Sequence, residues 1–378
     1  MNHARMLSII AWLGVATALA SAQPAETQPA NLEARWFRNV RQVTWTAMGL
    51  DRAGEAYFSP DGKRISFQAY PVGKEEYQIY VMNIDSTGLK MVSTGVGATT
   101  CSYFHPSGEK LIFAANHEDL RPAPEPPAPR HGPAAGGSDD SRAKSGEQTS
   151  QPASQPAQWP RGGAGYGWKY FPGMDIYEYT FATGALKRLI HEEGYDAECA
   201  YSPDGKSIVF SSMRDGDQEI YICDADGAHP RRITHAPGRD GGPFFSPDGQ
   251  RIVYRSDRKG DGNLQVFTNN LEGTAEKLIT PDDAFHWCPY WHPSGKWLIF
   301  TYANFKESPR FDLYLIRDDG RDMQRVTTEG DFNGLPVFSP DGRYLMWTSK
   351  RNGIEAPQVF VAEFVGLTPA GELRNAAP

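Results

Sequence analysis

Along most of the chain, apolar, β-branched and aromatic residues come in short bursts bounded by turn residues, the pattern of strands rather than helices. Ser207-Ile208-Val209-Phe210 and Glu219-Ile220-Tyr221-Ile222 are typical bursts, and a shorter apolar-Thr piece such as Arg232-Ile233-Thr234 follows them. Before each set stands one phrase: an aromatic, Ser or His, Pro, Asp or Ser, then Gly. It occurs at Phe58–Gly62, Phe104–Gly108, Tyr201–Gly205, Phe245–Gly249, Trp291–Gly295 and Phe338–Gly342. Pro at the second turn position presets φ, and Gly at the end accepts a positive φ, so each phrase predicts a hairpin turn between two strands.

The steps from Pro to Pro are 46, 97, 44, 46 and 47 residues. The long step is one ordinary period plus an insert of roughly 50 residues, given a usual blade period of about 40–45. Each unit reads as four strands, A to D, with the phrase joining A to B. The sixth unit lacks a fourth strand, and Arg41-Gln42-Val43-Thr44-Trp45 near the start is a strand without a unit. The two ends complete each other if the chain closes on itself. The expectation is an all-β, six-bladed β-propeller with four-stranded blades, closed by the N-terminal strand.

Composition agrees: aromatic residues are 12% of the chain, with 38 Gly and 29 Pro. The formal charge of −8 and the lack of a dense basic run argue against a nucleic-acid partner. One segment breaks the strand pattern. Arg5, the apolar run Met6 to Ala20 and Ala20-Ser21-Ala22 read as a signal peptide over 1–22, cleaved between Ala22 and Gln23. That predicts a periplasmic or secreted protein with no membrane span in the mature chain. Residues 23–34 read as a flexible start, 35–365 as the propeller, and 366–378 as a loose tail. The insert, about 118–166, is rich in Pro, Gly, Ser and Gln and reads as disordered; we expect it to be a flexible cover or a partner tether over the ligand face. Cys101, Cys199, Cys223 and Cys288 show no CxxC spacing; buried thiols are expected, with a Cys101–Cys199 disulfide as the alternative.

The repeated phrase, followed by an apolar strand, an Ile-Tyr strand and a Leu/Val-Thr strand, resembles the TolB-type, WD40-like PD40 repeat. The resemblance covers about residues 35–365 outside the insert. It implies the propeller fold, while the function of such propellers varies. TolB is a periplasmic component of the Tol–Pal machinery, and its propeller binds the lipoprotein Pal. TolB carries an α/β domain ahead of its propeller; here only about twelve residues separate the leader from the first strands. Related propellers also precede hydrolase domains, but no Gly-x-Ser-x-Gly elbow is present here.

In such a propeller the D-to-A loops line one mouth of the channel. Counting back from each aromatic aligns them. Five residues before stand Ala53, Thr99, Asp196, Asp240, His286 and Asn333; three before stand Glu55, Cys101, Glu198, Gly242, Cys288 and Leu335. If both columns face the axis, they make a polar, mostly acidic ring of Glu55, Asp196, Glu198, Asp240, His286 and Asn333 at one mouth. The reading this supports is a monomeric, non-catalytic binding module of the cell envelope, with an envelope protein or small ligand as partner and no catalytic residues or cofactor assigned. The alternative is a metal-assisted hydrolase or lyase on a sugar or peptide, the ring holding a divalent cation. Oligogalacturonate lyase, a related propeller enzyme, holds its metal with histidines, and only His286 falls in this ring. His105 and His292 are expected to be turn variants, and the loops 214–217 and 258–262 ordinary B-to-C turns.

Overall fold

The computed structural model describes residues 32–122 and 170–374. The expected leader, most of the flexible start and nearly all of the insert lie outside these. The described residues form six four-stranded antiparallel sheets. The first blade comprises β2 (Leu50–Phe58), β3 (Arg64–Pro71), β4 (Gln78–Asn83) and β5 (Lys90–Met91). The second comprises β6 (Thr99–Phe104), β7 (Lys110–Ala115), β8 (Asp175–Thr180) and β9 (Leu186–Ile190). The third runs from β10 (Asp196–Tyr201) and β11 (Ser207–Ser212) to β12 (Glu219–Asp224) and β13 (Arg231–Arg232). In the fourth, β14 (Asp240–Phe245) and β15 (Arg251–Ser256) precede β16 (Gln265–Asn270) and β17 (Lys277–Leu278). The fifth holds β18 (Phe285–Trp291), β19 (Trp297–Ala303), β20 (Asp312–Arg317) and β21 (Gln324–Arg325). The sixth holds β22 (Asn333–Phe338), β23 (Tyr344–Ser349) and β24 (Gln358–Phe364), and its outer strand is β1 (Phe37–Gln42) from the other end of the chain. Each innermost strand packs on those of its neighbours, and β2 packs on β22, so the blades close a six-bladed β-propeller.

The closing strand begins earlier than its sequence pattern suggests. Phe37 pairs with Phe364, and the register shifts between Arg38 and Arg41, with Asn39 at φ 53°. Val43 still donates to the Val359 carbonyl, but Trp45 is outside the strand. Phe37 stacks on Trp347 at 5.0 Å, so aromatic burial draws the strand toward its N-terminal end. The expected flexible start also ends sooner, because Leu32–Arg35 form a 3-10 turn. Glu33 is buried there, accepts from the Thr328 and Glu329 amides and pairs with Arg351. The expected loose tail is ordered through Arg374. Leu367 is buried and bridges Leu373, and the Trp297 indole donates to the Gly371 carbonyl at 2.8 Å.

Two repeated side-chain devices hold the blades. In the Ser-Pro-Asp-Gly turns the Ser hydroxyl donates to the Asp carboxylate, as in Ser59 to Asp61 and Ser202 to Asp204, both 2.6 Å. In the His-Pro-Ser-Gly turns the imidazole and the Ser hydroxyl make the equivalent contact, with His105 Nδ1 2.9 Å from Ser107 and His292 Nδ1 2.8 Å from Ser294. Each ring also meets the next blade's aromatic edge-on, His105 at Tyr201 and His292 at Phe338. At the end of the outer strand, Thr or Ser ties itself to the start of the third strand. Thr234 donates to Glu219 and accepts from the Ile220 amide, and Thr44, Ser93, Thr280 and Thr327 do the same with Gln358, Gln78, Gln265 and Asp312.

Candidate functional site

Each innermost strand carries a β-bulge two or three residues before its aromatic. In β10 the pairing runs Asp196 with Ser212 and Ala197 with Ser211, then resumes at Ala200 with Val209. The same break occurs in β2, β6, β14, β18 and β22. The first bulged residue is in the left-handed region in every blade: Glu55, Cys101, Glu198, Gly242, Cys288 and Leu335 have φ between 49° and 59°. Side chains there pay about 1 kcal/mol of backbone strain, which only glycine escapes. The bulge amide reaches the neighbouring blade in return: Glu55 donates to Thr348, Leu335 to Thr301 and Gly242 to Glu198.

The extra residue breaks the two-residue period and separates the two columns expected to form one ring. Asp196, Asp240, His286 and Asn333 share a strand face with the phrase aromatics and are fully buried between blades. Asp196 pairs with Arg214 at 3.1 Å, and Asp240 with Arg258 at 3.1 Å. Each arginine also bonds the serine two residues before it and lies over an aromatic ring, Arg214 over Tyr221 and Arg258 over Phe267. Burial pushes both aspartates upward despite these pairs. Asn333 accepts from Trp347, Ser349 and Arg351. His286 lies against Phe300 and Tyr302, with Nε2 3.1 Å from Asp282. These four are buried and held by side chains of their own blades, and they are not among the residues that line the chamber.

The bulged column does line the channel. Glu55, Cys101, Glu198, Gly242, Cys288 and Leu335 surround a chamber with Arg255 and Trp287. Among them Glu198 is fully engaged: one oxygen takes Arg255 at 2.6 Å, and the other accepts from Gly242, Ser211 and Gln218. Glu55 meets the Cys101 thiol and the Tyr57 hydroxyl, and burial pushes its carboxyl up to about 7. Burial likewise raises the Cys101 and Cys288 thiols. All four cysteines are thiols, and Cys199 donates to the Cys101 carbonyl instead of forming a disulfide with it. Among the described residues, no group of three or more His, Cys, Asp or Glu side chains is placed to hold a metal ion.

Below the chamber the channel is shut. Tyr57, Tyr103, Phe244 and Tyr290 project inward one residue before the aromatics, with ring centroids 5.0 to 5.9 Å apart. The Tyr103 and Tyr290 hydroxyls, from the second and fifth blades, meet at 3.2 Å. Beyond this plug, the phrase residues line a separate apolar funnel of 250 Å³, walled by Phe58, Trp291 and Phe338 with their prolines.

Sequence reasoning missed Arg255 and the plug. Arg255 occupies a strand position held elsewhere by Gln68, Ala114, Ser211, Thr301 and Thr348, so a lone charge in that column is the available signal. The plug is legible only as a Tyr or Phe before four of the six aromatics, with Ala200 and Val337 before the other two.

Residues 172–308 match the family profile of the TolB β-propeller domain, PD40. A TolB homologue of Chlorobium luteolum is 30% identical over 162 residues, 42% of this chain and 34% of the homologue. A TolB homologue of Chlorobium chlorochromatii is 29% identical over 39% of the chain and 32% of its own length, so the matches span about a third of these relatives. The solved structure of TolB from Acinetobacter baumannii superposes with a TM-score of 0.55 at 16% identity, over 85% of this chain and 65% of that one. At that identity the superposition speaks for the fold. The repeated turn, the closed ring of blades and the match over residues 172–308 make the chain similar to the TolB-like PD40 β-propellers.

Proposed function

We propose that the protein is an exported, non-catalytic binding propeller of the cell envelope that receives its ligand in the chamber on the D-to-A side of the plug. The observation that carries this reading is the aromatic plug, which turns the channel into a blind cup with buried charged groups at its base. A cup of that kind suits capture of a small group or a projecting side chain, the common use of a preformed polar recess. The TolB homologues support the envelope setting, and no helix among the described residues is long and apolar enough to cross a membrane. The hydrolase or lyase reading needs Asp196, Asp240, His286 and Glu198 together; Glu198 lines the chamber, while Asp196 and Asp240 are paired with arginines of their own blades and His286 packs on Phe300 of its own.

A photo-crosslinking residue at Leu335, in the chamber, and a second at Tyr344, away from it, test this in the native envelope. The expected result is a discrete crosslinked species from position 335 and none from 344. Crosslinking only from 344, or from neither, overturns the reading. Recovery of the mature chain beginning at Gln23 checks export.

A further inference from the structure

The chamber holds a cation whose hydrogen-bonding capacity is mostly unspent. Arg255 is 8% exposed and lines the cavity. A guanidinium carries five N–H donors. Among the described residues its recorded polar contact is one, from Nη2 to Glu198. The remaining donors face the cavity, where an acceptor can reach them. The backbone is shaped to admit the group: a Cβ at Gly242 would collide with Nη1, and one at Gly241 would come within 3.0 Å of it. Glu198 neutralises one side of the guanidinium, and its other oxygen is occupied by Ser211, Gln218 and Gly242, so it cannot turn to take up the remaining donors. The chamber has a volume of about 40 Å³, room for a small planar group such as a carboxylate.

We propose that the chamber binds a carboxylate on the Arg255 guanidinium, and that the Glu55 carboxyl, which faces the same cavity, weakens this binding when it ionises. This rests on the chamber being the ligand site. A planar carboxylate matches two adjacent guanidinium N–H groups in a bidentate pair, which a point-charge ligand does not. The groups facing Glu55 are Tyr57 on its own strand, Cys101 from the second blade, and Glu198 and Arg255. Cys199, Cys288 and Tyr77 also feel its charge. Burial raises the thiols and phenols among these, keeping them neutral near pH 7, so Glu55 is the group that changes charge there. The carboxylate is that of a free small acid or of a polypeptide terminus.

The purified mature chain is titrated with acetate, with acetamide and methylamine as controls, following the fluorescence of Trp287 in the chamber wall. A glycine-terminated pentapeptide, with free or amidated C-terminus, forms the second arm. We expect saturable binding of acetate or of the free-terminus peptide, with neither control nor the amidated peptide binding. Acetate assigns a free acid; the peptide alone assigns a chain end. Binding should weaken about tenfold from about pH 6 to about pH 8, and Glu55→Gln should remove that dependence. Arg255→Lys keeps the charge beside Glu198 and should weaken binding about tenfold through loss of the bidentate pair. Gly242→Ala, which displaces the guanidinium without changing charge, should act in the same direction. Binding of methylamine or acetamide as tight as acetate, no binding in either arm by folded protein, or equal binding by both variants overturns the proposal. A positive crosslink at 335 with no carboxylate binding leaves the chamber reading standing and removes only this inference.

Discussion

Residue chemistry in this propeller is set by which side of the bulge a side chain falls on. Glu55, on the channel side, is held near 7 by burial, above the 4.5 of an exposed glutamate. The unfolded chain therefore loses this proton first. Stability is full below about pH 4.5, falls as pH rises between the two values, and has lost on the order of 3 kcal/mol above about pH 7. Glu55→Gln should raise the urea midpoint at about pH 8 and leave it nearly unchanged at about pH 4, which unfolding curves at the two values will show. Asp240, on the inter-blade side, should behave differently. Asp240→Ala strips Arg258 of its buried partner and should cost about 3 kcal/mol, with carboxylate binding unaltered in the folded fraction. A loss of binding without loss of stability would return Asp240 to the channel. These two carboxylates stand three and five residues before the aromatics of the first and fourth blades and read alike in the sequence; a single inserted residue per strand separates their roles.

At the scale of the element, the closing strand carries a large share of the fold for its length. Phe37 stacks on Trp347, Trp36 on Phe364, and Glu33 neutralises Arg351 in the last blade. Removing residues 32–44 exposes the edge of β24 and leaves Arg351 buried without its carboxylate. We expect that truncation to lose the single cooperative transition and to open the last blade to protease, as limited proteolysis with mass mapping will show. Cleavage confined to the insert, with an unchanged melting curve, would mean that the ring closes without the strand. The existence of this strand was legible from the missing fourth strand of the last unit. Its bounds were not, because the aromatic contacts that pull it toward Phe37 come from Phe364 and Trp347, more than three hundred residues away.

For the whole molecule, the plug joins opposite blades through the axis. The Tyr103 and Tyr290 hydroxyls serve each other in a partly buried setting, so removing either leaves the other without this partner. Tyr103→Phe and Tyr290→Phe should each cost about 1 kcal/mol, and the double variant little more than one alone. Additive losses in that cycle would show that the two hydroxyls act independently. By itself the sequence determined the blade count, the hairpin chemistry and the circular closure. All three rest on local turn preferences and on repetition, which a linear reading captures. Only the tertiary structure decided where the columns point, since a bulge shifts the alternation by one residue and is specified by contacts with the neighbouring blade. It also placed Arg255 opposite Glu55, and it gave the repeated phrase a second use as the wall of an apolar funnel. Those facts depend on residues from several blades converging on one axis, a distance relation that spacing along the chain does not contain.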